Sequence, residues 1–176
     1  DAEFYTASTR PPSVYRGMPF QVECAIAYGG ELRADELVKL IRFANRVPLQ
    51  YLQSACAITK SVMQTAWKNY AISQSKGALP TAPMVLTLHI ASVWVPFTSE
   101  SKEAIAQYPE IIKEIKLAIQ ECGRKLAIYV RKKSIAADSE KKKEYIKKYL
   151  PHITKSLQEL LDLSDNQERQ AFKLLK

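Results

Sequence analysis

From Lys102 to the C-terminus the sequence carries one helical pattern whose length limits the folds available to the chain. Its apolar residues recur at intervals of three and four, and no strong helix breaker occurs before about Ser134. Pro151 predicts a kink or a restart, and Ser164 and Asp165 predict the cap of a last short helix. Such a helix exceeds what a small sheet can cover, so part of it is expected to project toward another domain or another protein.

The first half of the chain changes to a period of two, which indicates strands. FQVECAIAYGG (20–30) alternates apolar and more polar residues and predicts a strand that stops at the two glycines. ELVKLIRFANRVP (36–48) predicts a second strand, and the short link between the two predicts an antiparallel hairpin. Residues 85–97 are apolar at nearly every position, which predicts a central strand with Pro96 at its end.

Apolar residues spaced by three and four over residues 50–70 predict an amphipathic helix, and SKGALPTAP (75–83) predicts a loop. The order β-β-α-β-α predicts an α/β two-layer fold. We expect a mixed sheet of about three to four strands, with helices on one face and a long C-terminal helix. The predicted division is an extended segment at 1–19, a domain at 20–134, and a helical extension at 135–176.

Composition excludes several classes of protein. With 47% hydrophobic and 25% charged residues, the chain is expected to be soluble and ordered. It starts without Met or a signal peptide, which suggests a piece of a longer protein, and its longest apolar run (82–97) is too short for a membrane span. The three cysteines form no CxxC pair. They predict reduced intracellular thiols that act as small core residues rather than as ligands.

The net charge of +8 is concentrated in the second half of the chain. We call residues 124–148 the basic segment, in which Asp138, Glu140 and Glu144 face a larger number of cations. Those cations are Arg124, Lys125, Arg131, Lys132, Lys133, Lys141, Lys142, Lys143, Lys147 and Lys148. Two interpretations remain open: a stripe that faces a phosphate backbone or an acidic partner, or a solvated helix face.

No self-sufficient active site is visible in the sequence. It contains no phosphate-binding loop with GK[ST], no GxGxxG and no GxSxG. His89 and His152 have no acidic or cysteine partners at ligand spacing, so no metal site is predicted. Glu110 and Glu114 are interpreted as ordinary surface carboxylates. Trp67 and Tyr70 are expected on the core face of their helix, where packing is favoured over base stacking.

Several stretches together resemble a known family. They are RPPSVYRGMPFQVE (10–23), AIAYGG (25–30), RFANRVPL (42–49), ACAITK (55–60) and VPFTSESKEAIA (95–106), followed by the long helix from about Pro109. Over roughly residues 10–150 the chain resembles the transducer domain of the B subunit of DNA topoisomerase VI. That enzyme is a type IIB topoisomerase whose ATPase is of the GHKL family. The resemblance implies a fold like the second domain of ribosomal protein S5.

The resemblance also implies a division of labour. In such a parent enzyme ATP and Mg are bound by an ATPase domain that is absent here, and ATP binding dimerises two B subunits. The transducer relays this event to the A subunit, which cleaves both strands of double-stranded DNA. The fragment alone is expected to be non-catalytic and to meet no membrane. The expected location is the cytoplasm in an archaeon or bacterium and the nucleus in a eukaryote.

By motif position, the resemblance assigns Lys102 as the lysine that contacts the γ-phosphate in the neighbouring ATPase site. The family pattern has a glycine just before this lysine, whereas this chain has Ser101, with Glu100 adjacent and able to pair with Lys102. The helical extension at 135–176 is expected to dock on the A subunit, and the basic segment could touch DNA. Two alternatives stay open: a free-standing basic nucleic-acid-binding domain with an S5-like fold, and an independent enzyme.

Overall fold

The structure is a computed structural model that describes residues 1–161 and 164–175. Its main sheet contains β1 (Phe4–Thr9), β2 (Ser13–Tyr15), β3 (Met18–Tyr28), β4 (Lys39–Ala44), β5 (Val47–Pro48) and β8 (Met84–Ser92). The strand order is β1-β3-β8-β4-β5, with β2 paired to the start of β3. A separate two-stranded sheet pairs β6 (Ser73–Gln74) with β7 (Pro80–Thr81).

The core lies against one face of the main sheet because the period-two patterns of β3 and β8 are in register. These central strands pair antiparallel, and buried residues stand opposite each other in the pairs Val22–Ile90, Cys24–Leu88 and Ile26–Leu86. Each large apolar side chain buried in this way contributes about 1.5–3 kcal/mol. The other face is more open, with Tyr5, Ala7 and Ala25 exposed.

Helices cover the buried face. They are α1 (Ala57–Gln64) and the first turns of α2 (Pro109–Leu161); a further helix, α3 (Asp165–Leu175), follows along the chain. The α2 residues that join the core recur at intervals of three and four, as a helix against a sheet requires. They are Ile111, Ile115, Ala118, Ile119, Cys122 and Leu126. The predicted α/β fold with a mixed sheet and a long C-terminal helix is therefore confirmed.

The strand count and one pairing differ from the prediction. The main sheet has six strands rather than three to four, because residues 4–9 and 13–15 of the predicted extended segment pair with β3. The predicted hairpin of the first two strands is wrong: β4 runs parallel to β8, which lies between β3 and β4. The predicted second strand (36–48) is divided by a turn at Asn45 and Arg46.

Two helix boundaries also differ. The predicted helix at 50–70 is shorter, with 3₁₀ turns at Gln53–Ala55 and Trp67–Tyr70 on either side of α1. Extended backbone at Cys56 and Thr65 separates the three pieces. The long helix begins at Pro109 and not at Lys102, and it continues through Pro151 without a restart. Proline fits the first helical position because its missing N–H has no partner there.

The chain divides into two compact units, Asp1–Val130 and Arg131–Lys176. In the second unit every residue from 131 to 149 is exposed, whereas Leu150 and Thr154 are buried. The predicted start of a last helix at Ser164 is confirmed: its backbone N–H and its hydroxyl both donate to Oε1 of Gln167, three residues later. The predicted division after residue 134, between a domain and a helical extension, stays a prediction.

The cysteines and Trp67 occupy the interior. Cys24, Cys56 and Cys122 are free and buried, which confirms their prediction as core residues. Trp67 is fully buried and donates its indole N–H to the carbonyl of Val62 at 2.8 Å. No helix within the described residues is long and apolar enough to cross a membrane.

Candidate functional site

Lys102 lies in a loop whose two limbs are joined by backbone hydrogen bonds. We call residues 97–105 the lysine loop. Phe97 and Ile105 form an antiparallel bridge, and the N–H of Thr98 donates to the carbonyl of Ala104 at 2.9 Å. The base of the loop is therefore a short hairpin, and residues 99–103 form its tip.

The tip is held in a tight turn. The N–H of Lys102 donates to the carbonyl of Ser99 at 3.1 Å, and the hydroxyls of Ser99 and Ser101 lie 2.7 Å apart. Lys102 has a φ of 55°, in the left-handed region. This conformation costs a non-glycine residue about 1–3 kcal/mol, and such strain tends to occur at functional sites.

Ser101, at the position of the expected glycine, is compatible with this backbone. The positive φ belongs to Lys102 and not to Ser101. Ser101 therefore needs no glycine-like freedom. Its hydroxyl instead contributes to the turn through Ser99.

The structure does not bring Glu100 and Lys102 together. Both side chains are exposed. Within the described part of the chain, neither forms an ion pair or a side-chain hydrogen bond. The ammonium of Lys102 is thus presented to solvent at the tip of the loop.

The base of the lysine loop is fixed to the start of α1. Ala104 and Ile105 are fully buried, and the carbonyl of Ile105 accepts a hydrogen bond from the N–H of Ala57 at 2.9 Å. Ala57 is the first residue of α1, where backbone N–H groups lack partners within the helix. The side-chain amide of Gln107 donates to the carbonyl of Ala55 at 3.0 Å. An exposed tip therefore stands on an anchored base.

Arg42 holds the segment that leads to α1, a role that the sequence did not reveal. Its Nη2 donates to the carbonyls of Leu49 and Tyr51 at 2.9 and 3.0 Å. The residue is 3% exposed, and its Nη1 is buried without a hydrogen-bond partner. The only signal in the sequence is an arginine at an alternating position of a predicted strand.

The cations of the basic segment do not share one helix face. In the first unit, Arg124 and Lys125 are exposed on α2, and Nζ of Lys125 donates to the carbonyl of Ala7 at 3.2 Å. In the second unit, two runs of three consecutive helical residues are all exposed cations. They are Arg131, Lys132 and Lys133, and Lys141, Lys142 and Lys143. Because each helical residue turns by about 100°, three in a row point in widely different directions.

Neither histidine belongs to a metal site in the described part of the chain. No group of three or more His, Cys, Asp or Glu residues there could hold a metal ion. Nδ1 of His89 lies 2.8 Å from Oε2 of Glu23, and its Nε2 accepts a hydrogen bond from the N–H of Arg46 at 3.1 Å. Glu114 accepts from Nε of Arg10 at 3.2 Å, so this carboxylate has a structural partner.

A family model described as Topoisomerase VI B subunit, transducer, matches residues 1–169. The chain belongs to this family. The B subunit of type 2 DNA topoisomerase 6 from Archaeoglobus fulgidus is 49% identical over 160 residues, which cover 91% of this chain and 26% of that protein. The corresponding protein of Methanococcoides burtonii is 46% identical over 162 residues, covering 92% and 26%. This transducer thus spans about a quarter of the length of these relatives.

A solved structure also resembles the transducer. It is the crystal structure of the B-subunit of the DNA gyrase from Myxococcus xanthus, with a TM-score of 0.44 and 18% identity. The match covers 71% of this chain and 34% of that chain. The family match over residues 1–169 confirms the resemblance that the motifs of residues 10–106 carry.

Proposed function

We propose that this transducer relays the nucleotide state of an ATPase domain to the DNA-cleaving subunit of a type IIB topoisomerase. The observation that carries the proposal is the lysine loop: an exposed, strained Lys102 stands on a base fixed to the core. The long helix α2 begins at Pro109, shortly after the loop. A displacement of the tip can therefore reach α2 through few intervening residues.

In this proposal, ATP and Mg are bound by a domain outside the 176 residues. The described residues of this chain fit one part of such a site, a single cation for a phosphate, and they contain no cluster for a metal. Lysine suits this role because it is a compact charge on a flexible stem. Loss of the γ-phosphate would remove one charge-assisted contact and release the loop.

The test is ATP hydrolysis by the whole B subunit in the presence of DNA and of the A subunit. Lys102→Ala should lower hydrolysis about tenfold or more, since a hydrogen bond to a charged group contributes about 1.5–3 kcal/mol and 1.4 kcal/mol corresponds to tenfold. Lys76→Ala is the matched control, because Lys76 is also an exposed loop lysine. Normal hydrolysis by Lys102→Ala at saturating ATP would contradict the role.

We also propose that the second unit docks on the A subunit. It carries exposed apolar residues at a spacing of seven, Ile146, Ile153 and Leu160, with exposures of 56%, 51% and 80%. Such a spacing places them along one side of a helix, as a partner helix would require. We further propose that ATP binding pairs two B subunits. The paired subunits contact double-stranded DNA.

Docking is tested by mixing the chain with the A subunit, then measuring the mass of the complex by size exclusion with light scattering. Truncation after Ser134 should abolish the complex. Ile153→Ser should weaken it, whereas Lys155→Ser, at an exposed position of the same helix, should not. A complex that survives the truncation would place the contact elsewhere.

A free-standing nucleic-acid-binding domain is the second candidate, favoured by the exposed cations of the basic segment. It predicts that the chain alone binds DNA with an affinity that falls steeply with salt. Replacing Arg131, Lys132 and Lys133 by Ala should then abolish binding. Fluorescence anisotropy with a labelled duplex measures both effects.

A further inference from the structure

Arg16 occupies a strained position in the turn between β2 and β3. Tyr15 pairs with Met18 across this turn, and the two central residues, Arg16 and Gly17, have φ values of 47° and 79°. Such a turn favours asparagine or glycine at its first central position. An arginine there is costly for the backbone.

The side chain of Arg16 makes that contact with two aromatic rings. Its Cζ lies 5.5 Å from the ring centroid of Tyr15 and 5.2 Å from that of Tyr108. The two rings contact each other, with centroids 4.3 Å apart. A guanidinium within about 6 Å of a ring is attracted by the negative face of the ring. Tyr15, Arg16 and Tyr108 therefore form one cluster, which we call the tyrosine clamp.

Tyr108 lies at the junction between the lysine loop and α2. Its carbonyl accepts a hydrogen bond from the N–H of Ile112 at 3.0 Å, in the first turn of the helix. Its own N–H donates to the carbonyl of Ala106 at 3.0 Å, on the limb that leaves the loop. Pro109 follows directly as the first helical residue. The clamp thus holds the residue that joins the two elements.

We propose that Arg16 is a positioning residue, which through the tyrosine clamp transmits movement of the lysine loop to α2. This inference rests on the proposed function. With the clamp intact, loop and helix move together. Without the guanidinium, Tyr108 keeps its contact with the ring of Tyr15 but loses the cation that lies over both rings, so this junction absorbs part of the movement of the loop and more ATP is hydrolysed per strand passage.

The key variant is Arg16→Asn, because asparagine suits the turn and lacks the guanidinium. Arg16 is exposed, so its replacement opens no cavity in the core. Arg16→Lys keeps a cation over the rings and should restore function in part. Arg46→Asn is the matched control: Arg46 is exposed, has a φ of 68° in the β4–β5 turn, and shows no ring contact among the described residues.

The first measurement is the number of ATP molecules hydrolysed per DNA strand passage by the complete enzyme. Arg16→Asn should raise this ratio about threefold or more, with hydrolysis itself within about twofold of the parent. The second measurement is hydrogen exchange in the whole B subunit. The amides of Ala106, Tyr108 and Ile112, which are hydrogen-bonded in the parent, should exchange faster in Arg16→Asn than in the parent or in Arg46→Asn.

If hydrogen exchange in Arg16→Asn is unchanged, the tyrosine clamp does not hold Tyr108. If exchange is faster but the number of ATP molecules hydrolysed per strand passage is unchanged, the clamp is only a local structural contact. Either result contradicts the inference. A failure of the proposed function is recognised separately, because Lys102→Ala would then hydrolyse ATP normally. The hydrogen exchange of Ala106, Tyr108 and Ile112 does not depend on that outcome.

Discussion

Asn45 and Ser92 exchange two hydrogen bonds: Nδ2 of Asn45 donates to the carbonyl of Ser92, and the N–H of Ser92 donates to Oδ1 of Asn45, both at 2.9 Å. The asparagine side chain thus acts like a further stretch of strand beside the end of β8. Ser92 is the last residue of β8, before the chain continues to the lysine loop. This contact gives RFANRVPL (42–49) a physical role in placing the loop.

Two substitutions of Asn45 distinguish the contribution of its hydrogen bonds to stability from that of its backbone conformation. Asn45 has a φ of 47°, so Asn45→Gly keeps the turn and loses the two hydrogen bonds. We expect a loss of about 1–2 kcal/mol in the free energy of unfolding. Asn45→Ala should lose about 1 kcal/mol more because alanine is strained there. Urea unfolding measures both, and equal values for the two variants would contradict the role of the turn.

Arg42 should be costly to remove. Arg42→Met leaves the carbonyls of Leu49 and Tyr51 without their donor, and each such bond to a charged group contributes about 1.5–3 kcal/mol. We expect a loss of about 2–4 kcal/mol in the free energy of unfolding, measured in urea. Arg33→Met, at an exposed site, should change it by less than about 0.5 kcal/mol. An unchanged free energy of unfolding in Arg42→Met would show that the segment before α1 is held by other contacts.

Glu121 predicts a specific dependence of stability on pH. The hydroxyl of Ser8 and the guanidinium of Arg10 both donate to it, and they hold the pKa of this carboxyl below its usual range. A lowered pKa contributes stability above the usual pKa of glutamate, and this contribution is lost as the pH falls through the pKa of the folded state. The stability difference between the parent and Glu121→Gln, measured by urea unfolding, should therefore be full at neutral pH and shrink in acid.

Glu100→Gln is the control for this experiment, because Glu100 is exposed at the tip of the lysine loop. Its stability should follow that of the parent at every pH. A constant difference between the parent and Glu121→Gln from neutral to acidic pH would show that the contacts with Ser8 and Arg10 do not carry the effect.

Gln107 links the lysine loop to the turn before α1. Gln107→Ala removes the hydrogen bond to Ala55 and should speed hydrogen exchange at residues 104–107, because this limb of the loop loses one of its two hydrogen bonds to residues 55–57. Gln50→Ala, at another exposed glutamine, should leave this exchange unchanged. Equal exchange in both variants would assign the anchoring to the Ala57–Ile105 bond alone.

Individual elements were more predictable from the sequence than their arrangement. The period of two predicts β3, and the apolar run of residues 85–97 predicts a central β8, although this strand ends at Ser92 rather than near Pro96. Strand pairing is not visible in these patterns, because a short link between residues 28 and 39 is compatible with a hairpin and with the observed placement of β8 between the two strands. The spacing of three and four over 50–70 does not show the extended backbone at Cys56 and Thr65 that divides it.

The position of the candidate site follows from the family resemblance alone. No pattern of charge or spacing distinguishes Lys102 from other exposed lysines, and its left-handed φ depends on the turn closed by Ser99. The helical pattern extends back to Lys102, although Pro109 is a regular first helical residue. Tyr108 and Arg16 are far apart in the sequence, so only the fold brings the tyrosine clamp together.

The most direct measurement of the central claim is nucleotide affinity of the whole B subunit with and without the lysine. Lys102→Ala should weaken binding of a non-hydrolysable ATP analogue about tenfold or more and leave ADP binding unchanged, because only the analogue carries a γ-phosphate. Lys76→Ala should change neither affinity. Equal affinities of Lys102→Ala and the parent for the ATP analogue would contradict γ-phosphate sensing by this lysine.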